Sequence, residues 1–243
     1  MIEECTISSD PKGRCVSVVI PTLNSADRLP ATLSSLASAR ASGLVGQVIV
    51  SDGGSSDETC AVAHKGGAQV VQVPQGRGQQ LAAGANHTAH SWLLFLHDDS
   101  RLEDGWQEEV GFFIGETHGY DGKNQAAVFS FALDDPDPRA RRVERLARWR
   151  GERLALPYGD QGLLIERCFY DQIGGFRPIT LMEDVDIVRR IGRHRITQLR
   201  SKVFTSSVRY RKDGWWARPV RNLTVLALYF LGMPQRVLTR LYG

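Results

Sequence analysis

Short apolar runs alternate with amphipathic stretches through the first hundred residues. Val16-Ser-Val-Val-Ile20 is β-branched and bounded by Pro21, which predicts a first strand ending there. Leu29, Leu33, Leu36 and Ala37 then recur at helical spacing as far as Gly43, predicting one helix. Gln47-Val-Ile-Val50 reads as the second strand, and Ser55 with Glu58 has the spacing of a capping box opening a short helix. Gln69-Val-Val-Gln-Val73 is the third strand. Past the loop Pro74–Gly78, Ala-rich Gln79–Ala89 predicts a helix. Trp92-Leu-Leu-Phe-Leu96 follows as a strand apolar on both faces. Strands alternating with helices over short connections predict a doubly wound α/β sheet, parallel in this half.

Beyond Ser100 the pattern loosens. A helix is expected from Trp106 to Glu116, a strand from Ala126 to Leu133, and a seam at Asp134-Asp-Pro-Asp-Pro138. Arg139–Arg153 holds seven arginines around Val143, Leu146, Ala147 and Trp149, a basic amphipathic helix. Gly162–Ile165 predicts a strand, Glu183–Arg190 a helix start, and Arg195–Tyr210 a pair of short strands. From Gly214 onward the chain reads as helical. The expected division is an extension over residues 1–15, one domain over 16–210 with a nucleotide-binding half (16–100) and an acceptor half (101–210), and basic amphipathic helices over 211–243.

Composition narrows the class. The chain has 243 residues, 42% hydrophobic and 23% charged, enough apolar material for a sizeable core and unlike disordered or fibrous proteins. Its longest apolar candidate, Leu223–Met233, falls well short of the ~18 residues of a membrane span. Met1–Arg14 carries Glu3, Glu4 and Asp10 without an apolar core, so a secretory signal is not expected and a cytoplasmic protein is. Cys5, Cys15, Cys60 and Cys168 are irregularly spaced and read as reduced packing residues.

The net charge of +3 conceals an asymmetry. Residues 1–138 hold 8 Lys+Arg against 18 Asp+Glu, a balance of −10, whereas 139–243 hold 22 against 9, a balance of +13. Substrate phosphates, an anionic membrane surface and nucleic acid all suit the basic half by composition. Gly214–Tyr242 is expected to form two helices. Either they partly close the acceptor side and rest on the inner face of an anionic membrane, or their apolar residues pack on the domain or a second subunit.

In an open parallel sheet, ligands bind beyond the carboxyl ends of the strands. Those ends are polar here: Pro21-Thr22-Leu23-Asn24, Ser51-Asp52-Gly53-Gly54, Gln75-Gly76-Arg77-Gly78 and His97-Asp98-Asp99-Ser100. A strand order 3-2-1-4 puts all four on one edge, where a nucleotide fits. Asp52 would accept hydrogen bonds from base or ribose, Gly54 would let backbone approach the ligand, and Arg77 would pair with phosphate. The glycine signatures of dehydrogenases, phosphate-loop ATPases and α/β-hydrolases are absent. The adjacent carboxylates Asp98 and Asp99 repel one another unless a cation neutralises them, and a hard divalent ion touching pyrophosphate does so economically. Imidazole beside carboxylate suits Mn²⁺ better than Mg²⁺. The simpler readings stand alongside: Asp52 and Asp57 as turn and cap residues, Asp98-Asp99 as a helix cap, His97 as a structural histidine. Asp160-Gln161 is either acceptor lining or a plain turn, and Trp215-Trp216 either stacks on a sugar or packs.

In order, these residues resemble the family 2 glycosyltransferases over about residues 16–200. Val16–Asn24 is similar to the family's opening strand, Val48–Asp57 to its V-D-D-G-S-x-D segment, and Arg77–Asn86 to the helix entry below the donor. His97-Asp98-Asp99 stands at its D-x-D metal motif and Met182-Glu183-Asp184-Val185-Asp186 at the E-D segment holding the general base. Two departures are visible. Position 97 is histidine, similar to a compact bacterial subgroup with H-A-D-T, and the Q-x-x-R-W acceptor motif is missing.

The resemblance implies a GT-A fold, a Rossmann-like doubly wound mixed sheet flanked by helices with a C-terminal helical extension. It implies an inverting, metal-dependent transfer of sugar from a nucleoside diphosphate donor to an acceptor hydroxyl. Asp99 and His97 would hold Mn²⁺ or Mg²⁺; Pro21, Thr22, Asn24, Asp52, Gly54, Arg77 and Asp98 would bind the donor; Asp184 would be the base, with Glu183 and Asp186 as competitors. Asp160, Gln161 and Glu183 would face the acceptor, free or lipid-linked. The expected partners include no nucleic acid, and oligomeric state stays open. The rival readings are a non-catalytic nucleotide or phospho-ligand module and a sugar nucleotidyltransferase. The latter should show a basic glycine-rich loop after the first strand, where this chain has Pro21–Asn24 without lysine.

Overall fold

A computed structural model describes residues 13–117, 125–154 and 159–242; most of the expected N-terminal extension lies outside them. The first half runs β1 (Val16–Thr22), α1 (Leu29–Ser35), α2 (Ala37–Ala41), β2 (Val45–Asp52), α3 (Thr59–Lys65), β3 (Gln69–Gln72), α4 (Arg77–Asn86) and β4 (Trp92–Phe95). The second half begins with β5 (Ser100–Leu102), α5 (Trp106–Thr117), β6 (Ala126–Leu133) and α6 (Pro138–Leu154). A short 3₁₀ turn, Gly159–Gln161, leads to β7 (Leu163–Glu166), α7 (Arg167–Gln172), α8 (Glu183–Ile191), a second 3₁₀ turn (Arg193–Arg195), and β8 (Ile196–Thr205). Three helices close the chain: α9 (Val208–Asp213), α10 (Ala217–Phe230) and α11 (Gln235–Tyr242).

One mixed sheet of order β3-β2-β1-β4-β7-β6-β8-β5 crosses both halves. Strands β1 to β4 are parallel, in the expected 3-2-1-4 order, while β7 pairs antiparallel with both β4 and β6. Alternation along β1 divides the core. Val16, Val18 and Ile20 face a cluster with Leu29, Leu36, Trp106 and Ile114, whereas Val19 faces Leu81, Phe169 and Ile187 on the other side.

Several expectations shift, each for a local reason. β1 runs through Pro21 because β4 ends at Phe95, and the Leu96 amide donates to the Val19 carbonyl as the last bond on that side; no ladder partner awaits a Pro21 amide. The single helix expected over Leu29–Gly43 breaks at Leu36 into α1 and α2, burying Leu29, Thr32, Leu33, Leu36 and Ala39 while Ala37 is exposed. The capping box does not form. Ser55 Oγ donates to Asp52 instead, and Asp57 Oδ1 accepts from the Thr59 amide at 3.0 Å. Arg195–Tyr210 is one strand and a helix. β8 carries a bulge, with Val128 opposite Gln198 but Ser130 opposite Lys202, and Glu109 of α5 accepts from the amides of Arg200 and Ser201 at 2.8 Å each. Those bonds and the one from Ser201 Oγ outweigh burial, which alone would raise the carboxyl, and hold Glu109 below the usual carboxylate range.

The expected seam at residues 134–138 is stapled rather than loose. Asp135, 4% exposed, accepts from Arg211 at 2.6 and 2.8 Å and from Ser207 at 2.6 Å, binding the turn to α9. Because α9 starts at Val208, it straddles the expected boundary at 210.

Helix α4 lies unusually close to the sheet. A Cβ on Gly84 would sit 2.4 Å from both Ser51 Oγ and Val19 Cγ1, so only glycine permits this approach. Gly84→Ala is expected to lower stability by about 1–3 kcal/mol through overpacking. Gly111→Ala on α5, where a Cβ meets nothing within 4 Å, should raise it by about 0.5–1 kcal/mol. Urea midpoints of the two variants check the opposite signs.

Candidate functional site

The carboxyl ends of β1 and β2 form a rigid polar platform. Asp52, fully buried opposite Thr22, accepts from Thr22 Oγ1 (3.1 Å), Ser55 Oγ (2.5 Å), and the amides of Gly54 (3.0 Å) and Ser55 (2.8 Å). Burial pushes its pKa up, but these bonds outweigh it and hold the carboxyl below the usual range. Asp52 therefore shapes the 53–55 loop. Gly54 turns with φ of 91° and open space over its Cα. Asn24, itself left-handed at φ 49°, accepts from the Ser56 amide at 2.9 Å and donates its own amide to Ser55 Oγ at 2.8 Å. Pro21 and Thr22 lie between these loops at the end of β1.

Gln80 of α4 was not expected at the site. Buried, it donates through Nε2 to the carbonyls of Thr22 (2.7 Å) and Ser51 (2.9 Å), tying together the ends of β1 and β2. The sequence signal is faint: one polar residue on a helix face otherwise taken by Leu81, Gly84 and Ala85.

After β4 the three polar residues diverge. Asp98 turns toward α1, accepting from Arg28 Nη2 at 2.6 Å and from Ser25 Oγ, so it fastens the loop after β1. His97 and Asp99 face the cleft, with Nδ1 and Oδ1 3.8 Å apart. Arg77, at the start of α4, brings Nη2 to 2.5 Å from His97 Nδ1, and its Nε lies 3.4 Å from Glu183 Oε1. Burial opposes the charge of Arg77, but Glu183 and Asp184 more than offset this, and its pKa lies above the ordinary value.

Glu183 and Asp184 open α8, whose N-terminal dipole favours negative charge. The residue before them, Met182, is left-handed at φ 64°, an uncommon conformation that aims this helix end into the cleft. Glu183 is buried. Desolvation, reinforced by Asp184 and opposed by Arg77, pushes its pKa up to about 7. Asp184 is half-buried and lines the cleft with Asp99 and Asp160. Asp186 is turned away, paired with Arg190 (2.6 Å) and Arg177 (3.1 Å). Gln161 is buried and donates to the Phe129 carbonyl at 3.2 Å, holding the turn that carries Asp160.

The far wall comes from the end of the chain. Thr205 and Ser206 after β8, Tyr210 of α9, Arg218 and Asn222 of α10, and Tyr242 of α11 complete the cleft. Sequence reading missed them because their proximity arises only from the docking of α9–α11. Trp215 packs in a buried cluster with Leu133 and Val143, whereas Trp216 is 65% exposed.

Among the described residues no group of three or more His, Cys, Asp or Glu side chains is arranged to hold a metal. The nearest approach to a ligand pair is His97 Nδ1 and Asp99 Oδ1, 3.8 Å apart, with Arg77 Nη2 lying 2.5 Å from the same His97 nitrogen. No helix among the described residues is long and apolar enough to cross a membrane.

The comparisons place the chain by family and fold. A PGL/p-HBAD biosynthesis glycosyltransferase of Mycobacterium bovis is 38% identical over 114 residues, covering 41% of this chain and 41% of that protein. An uncharacterized glycosyltransferase of Mycobacterium tuberculosis is 38% identical over 94 residues, 38% of this chain and 40% of its own. The matches thus span about two fifths of the length of these relatives. Among solved structures, glucosyl-3-phosphoglycerate synthase from Mycobacterium tuberculosis, in complex with Mn²⁺, UDP-glucose and phosphoglyceric acid, superposes with a TM-score of 0.55 at 25% identity. It covers 77% of this chain and 70% of that one. The glycosyl transferase family 2 model matches residues 17–166, more than half of the chain, and the protein belongs to that family.

Proposed function

We propose that this chain transfers a sugar from a nucleoside diphosphate donor to an acceptor hydroxyl, with inversion at the anomeric carbon. The observation that carries the reading is the meeting of Arg77, His97, Asp99 and Asp184 in one cleft beyond the carboxyl ends of the parallel strands. The UDP-glucose and Mn²⁺ bound by the structural neighbour support the same class of donor and cation here.

The nucleoside would lie over the platform of Pro21, Thr22, Asn24 and Gly54, with Asp52 and Asp98 fixing its two loops. Arg77 would bind the diphosphate. Asp99 and His97 would hold a divalent cation, Mn²⁺ matching the imidazole better than Mg²⁺, which when bound offsets charge on the leaving phosphates. Asp184 would accept the proton of the acceptor hydroxyl as its oxygen bonds to the anomeric carbon and the bond to the diphosphate oxygen breaks. A single displacement inverts the centre and needs no carboxylate nucleophile. Glu183 is buried, and desolvation pushes its pKa up to about 7, whereas Asp184 is half-buried and lines the cleft. Glu183 lies against Arg77, its Oε1 3.4 Å from Nε, and would help to orient the guanidinium. Asp160, with Gln161 holding its turn, would face the acceptor.

Asp184→Asn is expected to keep donor affinity and to lower turnover by roughly 10²–10⁴; near-normal release of nucleoside diphosphate would remove Asp184 as the base. Asp99→Ala should abolish Mn²⁺-dependent binding of UDP in calorimetry while His97→Ala weakens it less, and unchanged affinity in Asp99→Ala would refute the cation assignment. Glu183 titrates at about 7 in the native protein against an ordinary 4.5, so the folded state holds its proton more tightly than the unfolded chain. Its stabilising contribution is therefore complete below about 4.5 and lost as pH rises through about 7. Thermal unfolding of wild type across this range should show that slope, and Glu183→Gln should flatten it.

A further inference from the structure

Of the twelve large apolar side chains that are exposed among the described residues, all except Phe112 lie on α6 or between Val208 and Leu241. They are ordered in stripes. On α10, Trp216, Val220, Leu223 and Leu231 follow one another at helical spacing along a face turned to solvent, while Val225 and Leu226 on the opposite face are buried. On α6, Arg142, Arg145, Leu146 and Trp149 share a second exposed face, opposite buried Val143 and Ala147. The two faces adjoin: Arg142, Arg145 and Leu146 line a common groove with Trp216 and Pro219.

This surface joins segments separated in sequence, and both are basic. Arg139–Arg153 holds seven arginines, and residues 200–243 hold nine Lys+Arg against the single acid Asp213, which is itself paired with Arg218 and Arg221. We propose that the α6 and α10 faces together form a docking surface for an anionic phospholipid bilayer. Tryptophan and aliphatic side chains would enter the headgroup and acyl boundary, with the arginines at the level of the phosphates. Two competing occupants match this face less well. A second copy meeting this face by two-fold symmetry would bring arginines against arginines, and nucleic acid would leave the aliphatic stripe of α10 in water. The inner side of the same helix supplies Arg218 and Asn222 to the cleft, so docking places that wall of the cleft at the bilayer.

The experiment is co-sedimentation of the full chain with phosphatidylcholine vesicles and with vesicles of equal parts phosphatidylcholine and phosphatidylglycerol. The protein should pellet with the anionic vesicles only, and added salt should release it. Arg142→Gln should lower the partition coefficient about fivefold, equivalent to the ~1 kcal/mol that one basic residue contributes near an anionic surface. Trp149→Ser with Trp216→Ser, both at exposed positions, should abolish binding while the circular dichroism spectrum stays that of wild type. Absence from both pellets at low salt overturns the proposal, as does equal binding to neutral and anionic vesicles. Light scattering adds a third arm: a dimer that the double tryptophan variant dissociates, without vesicle binding by wild type, assigns the face to self-association and overturns it as well. None of these readouts depends on catalytic turnover.

Discussion

The carboxyl edge of a parallel sheet presents backbone groups that have left the ladder and lack the next strand's partners. In this protein the edge is closed from beneath by Gln80, whose amide donates to the carbonyls at the ends of β1 and β2, and from above by Asp52, which gathers Thr22, Gly54 and Ser55 around one carboxylate. Gln80 reaches those carbonyls only because Gly84 lets α4 approach Val19 and Ser51 so closely. The same approach fixes where α4 begins. Arg77, three residues before Gln80, is thereby delivered to His97 and Glu183. The satisfaction of two strand ends and the placing of the cleft's central cation are one packing event.

Charge is partitioned around that cation in distinct ways. Asp98 is neutralised by Arg28 and Asp186 by Arg190 and Arg177, so both serve the scaffold. Asp52 is held by neutral donors alone. Glu183 has its pKa pushed up to about 7 by burial, against the pull of Arg77. Asp99, Asp160 and Asp184 line the cleft beside Arg77, with Arg218 across it already paired to Asp213. Diverting Asp98 and Asp186 to scaffold pairs keeps two further carboxylates from adding to the negative charge around Arg77.

The elements legible in the sequence were those whose environment is uniform along their length. β2 and β4, covered on both faces, gave apolar runs, and β6 matched its expected limits because Ala126–Leu133 is buried almost throughout. What escaped was set by distant partners. Ser55 caps nothing because Asp52 competes for its hydroxyl. β8 reads as two strands because its bulge is stabilised by Glu109, about ninety residues earlier. Likewise the role of Asp98 hinges on Arg28, seventy residues away. That His97, Asp99 and Asp184 line the cleft was legible because strand tips and helix starts are positions a sequence can mark. Tyr210, Asn222 and Tyr242 carry no such mark, since only the fold of the last helices brings them to the cleft.

Those helices are part of the site's framework rather than an appendage. Met182 holds a left-handed backbone that costs of order 1–3 kcal/mol for a residue without glycine's freedom, and it persists where neighbouring packing over-determines it. Here Met182 and Val185 are buried in a cluster with Val225 and Leu226 of α10 and Leu238 of α11. Burial of such side chains stabilises by roughly 1.5–3 kcal/mol each, enough to offset the strained turn. The turn in turn fixes the direction of α8, and with it Glu183 and Asp184. A boundary drawn at residue 211 would therefore cut through the support of the proposed base.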